Sequence, residues 1–170
     1  MPVFVHLTSE KNARSILRNG INRMRKRVTL AGGIRPGGIF AMPVTRNFYV
    51  SHQWLRELKR GPRATIVAVY FRILDEDPVW VGHYNQAHQK MTAAEATAVV
   101  MASENREGYQ VIVPRRIDKN EIRRVKHLPQ LTGWRYYPGA HGTHPCGCEF
   151  CQRGQYGARR LRQEFESLPG

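Results

Sequence analysis

The sequence predicts an α+β domain, and three features carry that expectation. Residues 64–73 (ATIVAVYFRI) form a strong strand signal, dense in β-branched and aromatic side chains. Thr92-Ala93-Ala94-Glu95 is a capping box ahead of an alanine-rich run, which is a helix start with a mechanism. Between and around these, short strands and helices mix without the even alternation that builds a parallel sheet. No internal repeat is evident.

In chain order, Val3-Phe4-Val5 reads as a short strand ending at His6. Thr8 or Ser9 is placed to cap a helix over roughly residues 10–18, with Ala13, Ile16 and Leu17 on one face and Gly20 as its left-handed stop. Residues 22–37 read as a basic loop containing Arg23, Arg25, Lys26 and Arg27. Gly38-Ile39-Phe40-Ala41 is a second short strand, and a turn over residues 43–47 leads to a helix carrying Tyr49, Trp54 and Leu58. After the 64–73 strand come a shorter one at 78–81, the capped helix to about Ala102, and a strand at 109–113 closed by Pro114. Residues 118–125 predict a helical turn followed by a strand.

From Thr132 the composition shifts to Gly, Pro, His, Cys and aromatic residues, and a basic helix is expected from Gly157 to about Glu166. The expected division is a main domain over 1–131 and a small Cys/His-containing basic appendage over 132–170, packed on it. A piece of roughly that size seldom folds alone without a metal.

Charge narrows the partners. Lys and Arg number 27 against 13 Asp and Glu, a net charge of +14, with an isoelectric point near 10.4. Such an excess attracts polyanions at long range, and its clustering points to nucleic acid. Arg115 and Arg116 open one cluster that continues through Arg123, Arg124 and Lys126, and Arg153, Arg159, Arg160 and Arg162 form another. A membrane surface fits less well, because no basic amphipathic helix with a wide apolar face is visible. No run of about 18 apolar residues is present, and the N-terminus does not read as a secretory signal, so the cytoplasm is the expected compartment.

Cys146, Cys148 and Cys151 lie close together, which argues against a disulfide framework. With His144 or His141 they match the ligand set of a closed structural zinc site. Free thiols in a loop are the alternative. A structural role is expected over a catalytic one, because a full set of protein ligands leaves little open coordination.

Three fragments carry a more specific signal: His6-Leu7-Thr8 at a strand end, Gly38-Ile39-Phe40-Ala41 followed by a helix with Tyr49, and Gly108-Tyr109-Gln110-Val111-Ile112-Val113. Their order and spacing over residues 3–125 resemble the ADP-ribosyltransferase superfamily in its His-Tyr-Glu branch. That branch includes poly-ADP-ribose polymerases, DNA-modifying DarT toxins and, more distantly, RNA 2′-phosphotransferases. The resemblance implies a split β-sheet core with flanking helices that binds NAD. It assigns His6 to the adenosine-side ribose, backbone near Leu7 to the nicotinamide amide, and Thr8 and Gly20 to the same motif. Tyr49 would stack on nicotinamide, with Phe40 as a second wall. The plainer alternatives are that His6 is a satisfied half-buried histidine beside a helix cap and Tyr49 a core-facing helix residue.

At the family's glutamate position this chain has Gln110. The family carboxylate grips the nicotinamide-ribose hydroxyl and stabilises an oxocarbenium-like sugar, as carboxylates do in glycoside cleavage. Glutamine keeps the shape and loses the charge. Glu107 acting in a shifted register, a branch that lacks the glutamate, and an isosteric exchange that silences a toxic enzyme are the three explanations, and the last is the simplest. The expected function is transfer of ADP-ribose from NAD to DNA or RNA on a single-stranded or flipped base, as in a bacterial toxin or defence effector with an antitoxin or immunity partner. An RNA 2′-phosphotransferase-like activity and a non-catalytic zinc-knuckle nucleic-acid binder are the alternatives.

Overall fold

In the computed structural model the described residues are 1–23, 28–30, 33–35, 37–59, 64–84, 86–104 and 106–128. The architecture is α+β. Among the described residues nine strands occur in chain order: β1 (Val3–Ser9), β2 (Val28–Leu30), β3 (Gly33–Arg35), β4 (Ile39–Pro43), β5 (Ile66–Arg72), β6 (Pro78–His83), β7 (Gln89–Thr92), β8 (Tyr109–Val113) and β9 (Ile122–His127). Four short helices accompany them: α1 (Ala13–Asn19), α2 (Phe48–His52), α3 (Leu55–Lys59) and α4 (Ala93–Ala102). Seven strands form one antiparallel sheet in the order β7-β6-β8-β4-β1-β5-β9, and β2 and β3 pair separately.

The sheet is organised around β5. Six of its seven residues are buried, so both of its faces are covered, as its near-continuous apolar run requires. It pairs with β1 along seven residues, from Val3↔Arg72 to Ser9↔Ile66. Phe4 stacks on Phe71 across that ladder, ring centroids 6.0 Å apart. The capping box closes as expected: Thr92 Oγ1 accepts from the Glu95 amide and Glu95 accepts from the Thr92 amide. Ala93, Ala96 and Val100 bury one face of α4.

Several expectations are corrected. β1 runs on to Ser9 instead of ending at His6, because β5 supplies a ladder partner for Thr8 and Ser9. Ser9 therefore makes no side-chain cap, a 3-10 turn covers Glu10–Asn12, and α1 begins only at Ala13. In so short a helix Ile16 is buried while Leu17 stays 52% exposed. Gly20 does take positive φ (79°), and it abuts the Ile117 carbonyl, where any side chain would collide. The helix expected through Tyr49, Trp54 and Leu58 is broken into α2 and α3. The loop expected over 22–37 contains the β2–β3 hairpin, and the polar strand β7 had no apolar alternation to announce it.

The appendage expected at 132–170, with Cys146, Cys148, Cys151, His144 and His141, lies outside the described residues. So do Arg25, Lys26 and Arg27. Among the described residues no cluster of His, Cys, Asp or Glu could hold a metal ion, and no helix is long and apolar enough to cross a membrane.

Candidate functional site

The three fragments meet at β4. β1 flanks it on one side and β8 on the other, so the His6 and Gln110 strands are not neighbours but share one partner. Phe40 and Ala41 pair with Ile112 and Val111 of β8. On the other side the β1–β4 ladder has only two pairs, Phe4↔Pro43 and Val5↔Met42. Just past that short ladder, His6 Nδ1 donates to the Phe40 carbonyl at 2.8 Å.

That bond settles the histidine's chemistry. A carbonyl only accepts, so the proton sits on Nδ1 and Nε2 presents a lone pair. Burial lowers the His6 pKa below its usual 6.5, and the bond to Phe40 opposes the shift without cancelling it. His6 is therefore a neutral, oriented acceptor at neutral pH. Because the folded state resists its protonation, stability should be level above about pH 7 and fall as pH drops below 6.5. Urea midpoints from pH 8 to pH 5 test this, and the slope attributable to His6 should vanish in His6→Gln.

Gln110 is 7% exposed, and its Oε1 is buried with no hydrogen-bond partner in the protein. An acceptor left in that state costs about 1–3 kcal/mol, so a donor from a bound molecule would relieve it. Gln110 pairs with Gly82 of β6. Glu107, the carboxylate of the shifted register, is exposed in the turn before β8 and is not part of the strand.

Strand alternation bears on whether the two side chains can share a ligand. One residue beyond Ala41↔Val111, Gln110 falls in a row with Met42 and Val5, and His6 is the next residue after Val5. In a flat, unbroken sheet the two would face opposite sides. The ladder stops at Val5 and Met42, however, and the His6 ring turns in toward the β4 backbone there. Against β5 the strand stays regular through His6↔Val69, so alternation sets the His6 and Gln110 side chains on opposite faces of the sheet, with β4 between their strands.

A clamp that the sequence did not announce joins α2 to β8. Gln53 donates through Nε2 to the carbonyls of Arg106 (2.9 Å) and Val50 (3.2 Å), and its Oε1 accepts from the Gly108 amide at 2.7 Å. Its neighbour Trp54 donates from Nε1 to the Tyr109 carbonyl at 2.8 Å. Gly108 has φ 81°, a left-handed turn that glycine adopts without strain. The helix bearing Tyr49 is thus tied to the two residues before Gln110. The side-chain placement of Tyr49 lies outside what is described. Trp54, expected in the core, is partly buried against it with its indole N–H engaged on β8. Gln53→Ala should speed exchange of the Gly108 amide by roughly 5–10-fold, about the worth of one hydrogen bond. Residue-resolved hydrogen exchange would show it.

The remaining residues named from sequence divide as follows. Leu7 and Thr8 lie on β1 opposite Ala68 and Val67, and Thr8 Oγ1 accepts from Asn12. Gly20 packs against the Ile117 to Lys119 backbone, which accounts for the glycine without a cofactor. Arg23 reaches the Pro114 carbonyl, and Arg116 donates to the Asn19 carbonyl. Arg115 bonds Asp77 at 2.7 Å and also both carboxylate oxygens of Glu121. The hydrogen bonds it donates to Glu121 first, then to Asp77, hold the guanidinium protonated, so Arg115 acts as a staple within the fold. No protein-family model, curated protein or solved structure matches this chain.

Proposed function

We propose that this chain is an NAD-dependent ADP-ribosyltransferase acting on nucleic acid. The observation that carries the reading is the meeting of all three fragments at β4. The His6 strand and the Gln110 strand flank it, and the helix of Tyr49 is clamped to the turn before Gln110. The donor set suits a dinucleotide: a neutral imidazole with one free lone pair and a buried amide oxygen that lacks a donor are both partners for ribose hydroxyls. By the family resemblance, His6, Leu7 and Thr8 hold the adenosine side and the amide of NAD, Phe40 and Tyr49 wall the nicotinamide, and position 110 faces the reacting sugar.

In the reaction the bond between nicotinamide and ribose C1′ breaks, and nicotinamide leaves with the electron pair. A nitrogen or oxygen of the nucleic acid bonds C1′ and gives up its proton. Gln110 can accept a hydrogen bond from the sugar but cannot offset its positive charge, so this form is slow. The missing carboxylate also fits an RNA 2′-phosphotransferase-like activity, which would release a 2′-phosphate instead. A toxin or defence role, with an antitoxin or immunity partner, follows from the resemblance. A structural zinc on Cys146, Cys148, Cys151 and His144 is part of the same proposal.

Calorimetry with NAD, and mass spectrometry of DNA and RNA oligonucleotides incubated with NAD and the Gln110→Glu protein, test the reading. Expected are saturable NAD binding that His6→Ala abolishes and a mass gain of one ADP-ribose on the oligonucleotide. Absence of both leaves a non-catalytic nucleic-acid binder; 2′-phosphate release selects the second activity.

A further inference from the structure

We propose that Tyr84, backed by Trp54, is a stacking platform for one base of a single-stranded nucleic acid. This rests on the reading above for the class of partner. Tyr84 directly follows β6, and its amide donates to the Gly108 carbonyl at 2.7 Å, so the β6–β8 pairing continues through it. Two residues earlier Gly82 pairs with Gln110, which puts Tyr84 on the Gln110 face of the sheet. The helix α2 lies on that face too, since His52 bonds the hydroxyl of Tyr70, which shares a row with Val5 and Met42. Trp54, just past α2, brings its ring to 5.8 Å from that of Tyr84, tilted by 55°. Its N–H is engaged by the Tyr109 carbonyl, so the indole is a fixed backing with its polar group satisfied. Tyr84 is 52% exposed, and among the described residues it is the one aromatic among the large exposed apolar side chains. A ring braced from behind and open to solvent is what base stacking requires.

Across the ladder Tyr84 faces Gly108 and Gln110 faces Gly82, so neither strand puts a side chain between Tyr84 and Gln110. Diagonal neighbours of this kind stand about 7–8 Å apart, within reach of an aromatic ring. The buried Oε1 of Gln110, which lacks a donor, therefore lies beside the platform, and a nucleotide seated there brings N–H and O–H donors to it. Ala87 and His88 pack against Gly82 and close that side, so the way in is past the Tyr84 ring. Contact with Oε1 needs an outward swing of that ring, which its exposure permits. Charge selects the base over the phosphate. The chain carries +14 overall, which draws a polyanion, yet Glu104 and Glu107 stand exposed just before β8. This end of the sheet repels phosphates and takes the uncharged base instead.

The test measures binding of a fluorescent oligothymidylate of about 12 nucleotides, and of an abasic strand of equal length and charge. Tyr84→Leu keeps an apolar side chain without a ring, Tyr84→Phe keeps the ring, and Leu74→Ala is a control at another exposed apolar position. Tyr84→Leu should weaken binding of the oligothymidylate by about 5–150-fold, the worth of one stacked base, and leave the abasic strand unchanged. Tyr84→Phe and Leu74→Ala should match the parent protein. The salt slope should be the same in all, because no charge is removed. Equal loss on both strands, failure of Tyr84→Phe to retain binding, or a changed salt slope overturns the proposal. So does an unaltered oligothymidylate affinity in Tyr84→Leu, including when that variant instead loses a protein partner. No binding of either strand by the parent protein overturns it together with the nucleic-acid part of the reading above. NAD is absent from every measurement, so the platform can fail while the transferase reading stands, and the reverse.

Discussion

On the proposed transferase reading, Gln110→Glu should raise the rate of ADP-ribose transfer by about 10²–10³-fold, the usual worth of one preorganised electrostatic group in a transition state. The gain should fall on turnover, with NAD affinity changed much less, because the charge matters as the sugar becomes cationic and little before. Residue 110 is buried at 7% exposure and held at the start of β8 by the clamp on its two preceding residues. An isosteric exchange there meets no new steric demand. A rate unchanged by Gln110→Glu, in a protein that binds NAD and nucleic acid, would remove position 110 from the chemistry. Combining Gln110→Glu with Gln53→Ala separates positioning from charge: slower turnover at unchanged NAD affinity is expected if the clamp sets the carboxylate.

Phe71→Ala should destabilise the domain by about 3–5 kcal/mol, measured as a lower urea midpoint. Phe71 is fully buried, pairs with Phe4, and stacks on its ring. Truncation opens a cavity beneath the β1–β5 ladder, which also presents His6 toward β4. On the proposed reading, NAD binding should weaken along with stability in this variant. Leu17→Ala is the matching control: Leu17 is 52% exposed, and its loss should change stability by less than about 0.5 kcal/mol. Comparable effects from the two would contradict the described core.

Local pattern was a good guide wherever a side-chain rule acts within a few residues. The Thr92–Glu95 box formed because both partners sit one turn apart, and β8 formed over Tyr109–Val113 as its apolar run requires. β5 was legible because a two-sided strand has no polar face to disguise it. Pattern misled where a distant partner overrode a nearby preference. Thr8 and Ser9 look like caps but are held by β5, some 60 residues along the chain, and α2 breaks off where Gln53 and Trp54 bond residues 106–109. The short polar strand β7 carries no period at all and exists because β6 needs a neighbour.

Composition and motif order alone pointed to a basic α+β protein and named His6, Tyr49 and Gln110 as residues to watch, since charge and residue type survive without a fold. How each basic residue is engaged could not be read that way: Arg115 and Arg124 look alike in the chain, yet one is bound by Asp77 and Glu121 and the other lies over the Tyr70 ring on β9, the last strand of the described sheet. The same holds for His6. Its tautomer, its neutrality and its turn toward β4 follow from a carbonyl 34 residues away and from a ladder that stops after two pairs. Hydrogen bonding and desolvation act across space, and only the folded chain sets those distances.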